Sequence, residues 1–299
     1  MYTTAQASRF LIVIFNPVAG QRRPGRLWAV LDLLLEHGIK VELAETRHPG
    51  HATELARQAA ASGTDMIVAA GGDGTIAEIA QGMIGSPTRL GILPLGSANV
   101  LAHELTLPVR AKAIASTLAF RRTRPLWPGL VQAGQSQRLF IQMLGVGFDA
   151  QVVHHLSLPL KRFTGRIAYA AQSIREISRY RSTRFPVIID GQPHEAATVI
   201  VAKGRYYGGP FLLAPDAASD SPGFSIAMFQ QDSTRDILKY GLQLLFGQLP
   251  ACSGLKFLRG REITFPGSTI MPAQADGDPA GHTPLHIGDA PFPLRVVVP

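Results

Sequence analysis

Along roughly the first 120 residues, continuous apolar runs alternate with stretches of helical periodicity. Residues 9–15 carry a buried-strand pattern, Leu11-Ile12-Val13-Ile14-Phe15, which stops at Asn16-Pro17-Val18-Ala19-Gly20, a turn by composition. Pro24 is placed to start a helix with apolar positions Leu27, Val30, Leu31, Leu34 and Leu35, closed by Gly38. Residues 39–44 read as a second strand, 46–51 as a loop and 52–61 as a helix. A third strand, Met66-Ile67-Val68-Ala69-Ala70, runs into Gly71-Gly72-Asp73-Gly74-Thr75. A helix to about Met83 follows, with Thr75 and Glu78 forming a capping box at its start. Residues 90–93 give a fourth strand, closed by Pro94. Gly96-Ser97-Ala98-Asn99 then leads into a helix capped by Ser97, and another helix covers 110–120. This alternation predicts an open parallel α/β sheet.

After Arg121-Arg122-Thr123-Arg124-Pro125 the pattern changes. Short β-prone runs follow at 139–144, 186–190, 198–202, 224–230, 262–265 and 294–298, separated by turn signals such as Asp190-Gly191 and Pro222-Gly223. They predict a mostly antiparallel second domain, a sandwich or barrel, with helical inserts at 163–180 and 234–246. The expected domains are 1–122, α/β, and 123–299, β-rich, with the last strand free to return to the first domain. No internal repeat is present.

Composition narrows the class. A chain of 299 residues, 46% hydrophobic and 17% charged, can bury a large core. Its apolar runs fall well short of the roughly 18 residues that suggest a membrane span, and no secretory leader pattern opens it. Cys252 is the sole cysteine, which excludes an internal disulfide and suits a cytoplasmic setting. Net charge is +8, unevenly spread. From Arg110 to Arg184 there are 13 Lys/Arg against Asp149 and Glu176, a balance of +11, which leaves −3 elsewhere. Such a basic span suits an anionic partner: nucleic acid, lipid headgroups or a polyphosphate.

The glycine loop carries the candidate chemistry. Strand, glycine turn, helix is the layout of a phosphate-binding loop, in which glycines admit the phosphates and helix N–H groups face the anion. GxGxxG fails at Ala77, and GxxxxGK[ST] fails for want of the lysine. In parallel sheets ligands bind beyond the carboxyl ends of the strands. The loops at 16–20, 46–51, 71–75 and 96–99 all follow strands, so they can converge on one crevice. His48, His51, His103, His154 and His155 show no zinc spacing.

An ordered set of these segments resembles the diacylglycerol kinase catalytic family, bacterial lipid kinases related to sphingosine and ceramide kinases. It comprises Asn16-Pro17-Val18-Ala19-Gly20, Thr46 with Gly50-His51-Ala52, Gly71-Gly72-Asp73-Gly74-Thr75 with Glu78, and Leu93-Pro94-Leu95-Gly96-Ser97-Ala98-Asn99. Gly145-Val146-Gly147-Phe148-Asp149-Ala150, Gly165 with Ala168-Tyr169, and Asp276-Gly277-Asp278 complete it. The resemblance implies ATP and a lipid meeting in a cleft between the two domains, with transfer of the γ-phosphoryl group to a lipid hydroxyl. It implies that Gly71, Gly72, Gly74 and Thr75 cradle phosphate and that Asp73 acts on the Mg²⁺–phosphate assembly. Asn16, Pro17, Gly20, Thr46, Glu78, Ser97 and Asn99 would line the rest of the nucleotide site. Asp278 stands where the family usually carries glutamate and is the expected base, with Asp276 its rival.

Other departures bear on the metal and the first loop. Val100 and Gln21 replace a usual Asp and Lys. The segment linked in many members to a second, structural Mg²⁺ reads Ser219-Asp220-Ser221-Pro222-Gly223-Phe224, so Asp220 is the one candidate ligand there. The resemblance further implies a peripheral membrane enzyme meeting a lipid substrate and anionic headgroups through the basic span, with no nucleic acid partner. Two other classes stay open on the residues: an NAD kinase-like small-molecule kinase, which shares the glycine loop, and a non-catalytic nucleotide- or lipid-binding module.

Overall fold

The structure is a computed structural model that describes residues 10–20, 24–155, 184–231 and 233–299. Strand β1 (Phe10–Phe15) leads through α1 (Pro17–Gly20) to α2 (Pro24–Glu36). The order continues with β2 (Lys40–Glu45), α3 (His51–Ala61), β3 (Met66–Gly71), α4 (Asp73–Met83), β4 (Arg89–Pro94), α5 (Val100–Glu104), α6 (Ala111–Phe120) and β5 (Thr123–Leu126). The helices cross over between parallel strands, so strands β1, β3 and β4 are covered on both faces. That is why their sequences read as unbroken apolar runs rather than as alternation. Strand β2 lies at the sheet edge and is largely exposed, with Lys40, Glu42 and Glu45 along it, as an unpaired edge requires. Leu27, Val30 and Leu34 of α2 pack with Ile114 and Leu118 of α6 on Leu11, Val13, Met66 and Val68. Helices α3 and α4 pack on each other and on β3.

The second unit begins with β6 (Gly129–Ala133), β7 (Ser136–Phe140), β8 (Met143–Val146) and α7 (Phe148–His155). It continues with β9 (Phe185–Ile189), β10 (Gln192–Ala196), β11 (Thr198–Ala202), the short pair β12 (Tyr206–Tyr207) and β13 (Phe211–Leu212), β14 (Phe224–Phe229) and α8 (Thr234–Leu245). Strands β15 (Leu255–Gly260), β16 (Ile263–Phe265), β17 (Pro272–Ala275), β18 (Asp278–His282) and β19 (Leu285–Asp289) complete it. Two six-stranded sheets result, ordered β10-β9-β16-β19-β6-β7 and β15-β14-β11-β8-β17-β18. Phe140, Phe185, Phe265 and Ile287 from one meet Leu144, Val201, Phe224 and Ile226 from the other in a single core, the expected antiparallel sandwich. The outer face of the second sheet carries its own core, where Ile200, Ala227 and Phe229 pack with Tyr240, Leu249 and Cys252. Covering on both faces explains why β11 and β14 are buried at every position.

The last strand, β20 (Leu294–Val297), belongs to the first sheet, whose order is β2-β1-β3-β4-β20-β5. It runs parallel to β4 and antiparallel to β5, so the sheet is mixed at that end. The chain accordingly divides into Met1–Leu126 with Phe292–Pro299, and Trp127–Pro291.

Three local expectations are corrected. The apolar run 139–144 is broken between β7 and β8, because the N–H groups of Ile141, Gln142 and Met143 turn to the Asp276 carboxylate. Residues 16–20 hold a helical turn, α1, rather than an open turn. Asn16 Oδ1 accepts N–H bonds from Val18 (3.0 Å) and Ala19 (3.3 Å), an N-cap ahead of a first-position proline. The helix after Asn99 starts at Val100, with Asn99 in the left-handed region at φ 46°. Ser97 is exposed and does not cap it. The insert expected at 163–180, with Gly165, Ala168 and Tyr169, lies outside the described residues, as does Gln21.

Candidate active site

At the carboxyl ends of β1, β3 and β4 the strand-end loops are tied together by side chains. Asn16 Nδ2 donates to Thr75 Oγ1 at 3.1 Å, joining the first loop to α4. Gly71 leaves room for that threonine: a Cβ there would lie 2.5 Å from Thr75 Oγ1. A Cβ on Gly96 would lie 2.7 Å from the Cα of Gly72, so these loops touch backbone to backbone. The glycines thus serve packing between loops.

Asp73 is the clasp. Its Oδ2 accepts the Val100 N–H at 3.0 Å and its Oδ1 the Leu101 N–H at 3.1 Å. It therefore supplies from a distance the cap that Ser97 was expected to give to α5. Asp73 is half-buried, and this burial raises its pKa, against the opposing pull of the Leu101 and Val100 amides. Helix α4 begins at Asp73 after an extended Gly72, three residues earlier than a Thr75 cap implies. The Thr75–Glu78 capping box does not form. Glu78 instead accepts the Ala52 N–H at 3.3 Å through Oε2, and its carbonyl takes the Thr53 hydroxyl at 2.8 Å, so it fastens the start of α3.

The remaining expected residues are placed as follows. Gly74 lies in the first turn of α4, where backbone N–H groups lack intrahelical acceptors. Pro17 and Gly20 bound α1. Thr46 continues the β1 ladder, its N–H on Phe15 O at 2.9 Å. Ser97 is exposed on the fourth loop. Asn99 is buried; its Nδ2 donates to Gly96 O at 2.7 Å, while its Oδ1 is a buried acceptor with no partner in the structure.

In the second unit Asp276-Gly277 is a two-residue hairpin turn between β17 and β18, with Ala275 opposite Asp278. Asp276 and Gly277 sit at φ 51° and 82°, the left-handed pair that this turn demands. Both Asp276 oxygens are used: Oδ2 takes Ile141 N–H at 2.6 Å, and Oδ1 takes Gln142 at 2.8 Å and Met143 at 3.0 Å. Asp278 differs. Its side chain is about a third exposed and meets Arg138 Nη2 at 3.2 Å, while Arg138 Nη1 holds Pro279 O.

Three features escape sequence reasoning. Asp149 at the start of α7 is buried, accepting from Gln274 Nε2 at 2.6 Å and from the Tyr207 hydroxyl. Gln274 Oε1 takes the Gly277 N–H at 2.8 Å, so this chain of bonds ends on the hairpin turn. Gln142, beside the turn, is buried with neither amide atom partnered. The third is Lys203, a lone cation at the end of an apolar strand.

Comparison with known proteins gives the family and the fold. A family model for the diacylglycerol kinase catalytic domain matches residues 10–131, and one for the YegS C-terminal NAD kinase beta sandwich-like domain matches 142–298. The chain belongs to the diacylglycerol kinase family. A diacylglycerol kinase of Mycobacterium tuberculosis (strain CDC 1551 / Oshkosh) is 28% identical over 308 residues, covering 94% of this chain and 98% of its own. A diacylglycerol kinase of Bacillus subtilis (strain 168) is 26% identical, covering 96% and 95%. The crystal structure of a diacylglycerol kinase from Bacillus anthracis str. Sterne shares the fold, with TM-score 0.72 at 20% identity over 98% and 97% of the two chains. The protein is thus a diacylglycerol kinase-like lipid kinase.

In this kinase the segment expected to bind a structural Mg²⁺ does not fit one. Lys203 is wholly buried, and its Nζ donates to Ser221 O and Gly223 O, each at 3.0 Å, and to Asp289 Oδ1 at 2.7 Å. Asp289 Oδ2 takes the Gly223 N–H at 2.7 Å. The oxygens a cation would use here already surround an ammonium, and Asp220 is exposed beside them. Elsewhere among the described residues, His48, His51 and Glu54 bring ligand atoms within 4.8 Å of one another. His51 Nδ1 accepts the Arg47 N–H at 3.1 Å, so the neutral ring carries its proton on Nε2 and offers a metal no lone pair.

Proposed function

We propose that the protein transfers the γ-phosphoryl group of ATP to the hydroxyl of diacylglycerol or a related lipid. The observation that carries this reading is the division of labour in the hairpin. Asp276 spends both oxygens on three amides, whereas Asp278, two residues on, keeps its carboxylate near the surface. Asp278 accepts the lipid hydroxyl proton as the new O–P bond forms, and Arg138 orients it; ADP carries away the bridging oxygen. Gln142, with an amide donor and acceptor uncommitted, is suited to the polar part of the lipid backbone.

The nucleotide side is supported by α4 and its neighbours. Gly74 and Thr75 present first-turn N–H groups to phosphate, Asn16 fixes Thr75, and Asn99 Oδ1 accepts a donor from the nucleotide. When bound, Mg²⁺ neutralises the phosphate charge, and Asp73 would hold its waters. The test is direct: incubate the protein with labelled Mg-ATP and mixed micelles containing diacylglycerol, sphingoid bases or phosphatidylglycerol, with NAD as a parallel acceptor. Labelled phospholipid is the expected product. Label in NADP alone, or in no acceptor, overturns the reading.

A further inference from the structure

We propose that the outer face of α8 is the surface by which this protein docks on a bilayer containing anionic phospholipid. The proposal rests on the reading of the protein as a kinase whose acceptor lies in a membrane, and it names where that membrane is met. No helix among the described residues is long and apolar enough to cross a bilayer.

Helix α8 has two apolar sides. Ser233 caps it, accepting the Asp236 N–H at 3.3 Å, and the inner side is fastened to the sandwich. There Tyr240 packs edge-on to Phe229 with ring centroids 5.0 Å apart, and its hydroxyl donates to Gly254 O at 3.1 Å. The inner contact alone accounts for the helix. Yet Leu238, Leu242, Leu245 and Phe246 are 50%, 57%, 59% and 75% exposed. Their spacing of four, seven and eight residues puts them on one stripe. Single exposed leucines are ordinary; four large apolar side chains in one stripe mark an interaction surface.

The margin of the stripe selects the partner. Arg235 and Lys239, one turn apart, are both exposed, and Asp236, the one carboxylate of the helix, is turned onto Ser233. Lys239 also lines an open cavity of about 530 Å³ with Gln243, Gly247 and Gln248. An apolar stripe edged by cations is the pattern of a helix lying in the interfacial plane, apolar side among acyl chains and cations among anionic headgroups. Of the basic span read from the sequence, Arg110, Lys112 and Arg122 are exposed as well, away from α8 in the sequence. Arg121 pairs with Asp65 and Arg138 with Asp278, while Lys161, Arg162, Arg166, Arg175, Arg179 and Arg181 lie outside the described residues.

Co-sedimentation of the full chain with vesicles tests this. Wild-type protein is expected to bind phosphatidylcholine vesicles doped with phosphatidylglycerol more tightly than phosphatidylcholine alone, and less tightly as salt rises. Leu242→Glu/Phe246→Glu should weaken binding by about tenfold or more. Lys239→Glu should erase the preference for the anionic vesicle. Both positions are exposed, so the melting temperature should not move; a variant that does not fold is replaced by Leu242→Gln/Phe246→Gln. Equal vesicle binding by wild type and double variant overturns the proposal. So does light scattering that finds a lipid-free dimer in the wild type and a monomer in the variant, since the occupant is then a second copy. Phosphorylation of short-chain diacylglycerol below its micellar concentration separates the two readings. If both proteins phosphorylate it equally and bind vesicles equally, docking fails and the kinase reading stands. If neither phosphorylates it yet only the wild type binds vesicles, docking stands and the acceptor reading fails.

Discussion

Asp276 and Asp278 belong to one hairpin, but their surroundings give them different work. A carboxylate holding three backbone N–H groups is a structural joint, and its removal leaves those donors buried and unpaired. The fold then loses roughly 1–3 kcal/mol for each donor that water cannot reach. Asp276→Ala is therefore expected to lower the melting temperature and to lose activity only as far as the β7–β8 break is displaced. Asp278→Asn should leave the melting temperature unchanged while kcat falls by on the order of 10²–10⁴, the usual worth of a positioned base. Calorimetry and steady-state kinetics on the pair check this; the reverse pattern would make Asp276 the base. Asp73 gives a pH signature. Burial raises its folded pKa above 3.8, so its neutral form is the one that the fold favours. The stability it contributes is complete below 3.8 and lost as pH rises through the raised folded value. Asp73→Asn should flatten that part of the stability–pH curve measured by denaturant titration. It should also cost activity, because an amide oxygen cannot hold both the Val100 and the Leu101 N–H groups as the carboxylate does.

At the scale of elements, the helix starts at Pro24 and Thr234 and strands such as β11 are legible, while the starts of α4 and α5 and the strands β6, β10, β15, β17, β18 and β19 are not. Runs such as 198–202 and the left-handed Asp190-Gly191 turn follow from local chemistry, so sequence and structure agree there. Caps fail because the residue that satisfies a helix terminus need not be nearby in sequence. Asp73 caps α5 from 27 residues away and Glu78 reaches α3 across 26, while the local Thr75 and Ser97 signals go unused. The site shows the same limit: each loop could be read, but the bonds joining them are tertiary. Lys203 shows how far this extends. Burial lowers its pKa, against the pull of Asp289, so the ammonium is held by its ligands rather than by solvent. It binds the 221–223 segment to β11 and β19, the task a structural Mg²⁺ was expected to perform. Adding EDTA should therefore leave the melting temperature of the wild type unmoved. Lys203→Met should lower stability by about 3–5 kcal/mol, since it strands Asp289 and two carbonyls. Lys203→Met/Asp289→Asn should recover part of that loss. A wild-type melting temperature that drops with EDTA and returns with Mg²⁺ would show that a metal, not the lysine, holds the segment.

For the whole molecule, the position of β20 couples the end of the chain to its beginning. Its residues pair with Arg89 and Leu90 of β4 on one side and with Thr123 to Leu126 of β5 on the other, and Val297 lies in the first unit's core. Until β20 is in place, β4 is an open parallel edge and β5 has no partner in the sheet. The sandwich stands differently: neither of its two cores includes any residue from 292 to 299. Removing Phe292–Pro299 should thus damage one unit and spare the other. Hydrogen exchange is expected to show protection lost in β4, β5 and then the glycine loop on β3, with β8, β11 and β14 still protected. Binding of an apolar dye should rise as the edge is exposed, and phosphoryl transfer should vanish because the glycine loop hangs from that sheet. The same dependence delays folding of the first unit until the last strand has been made, which leaves an unpaired strand edge open to misassembly during synthesis. A truncated chain that keeps the full protection pattern and melting temperature would show that β4 and the crossover helices hold the first unit together without its last strand.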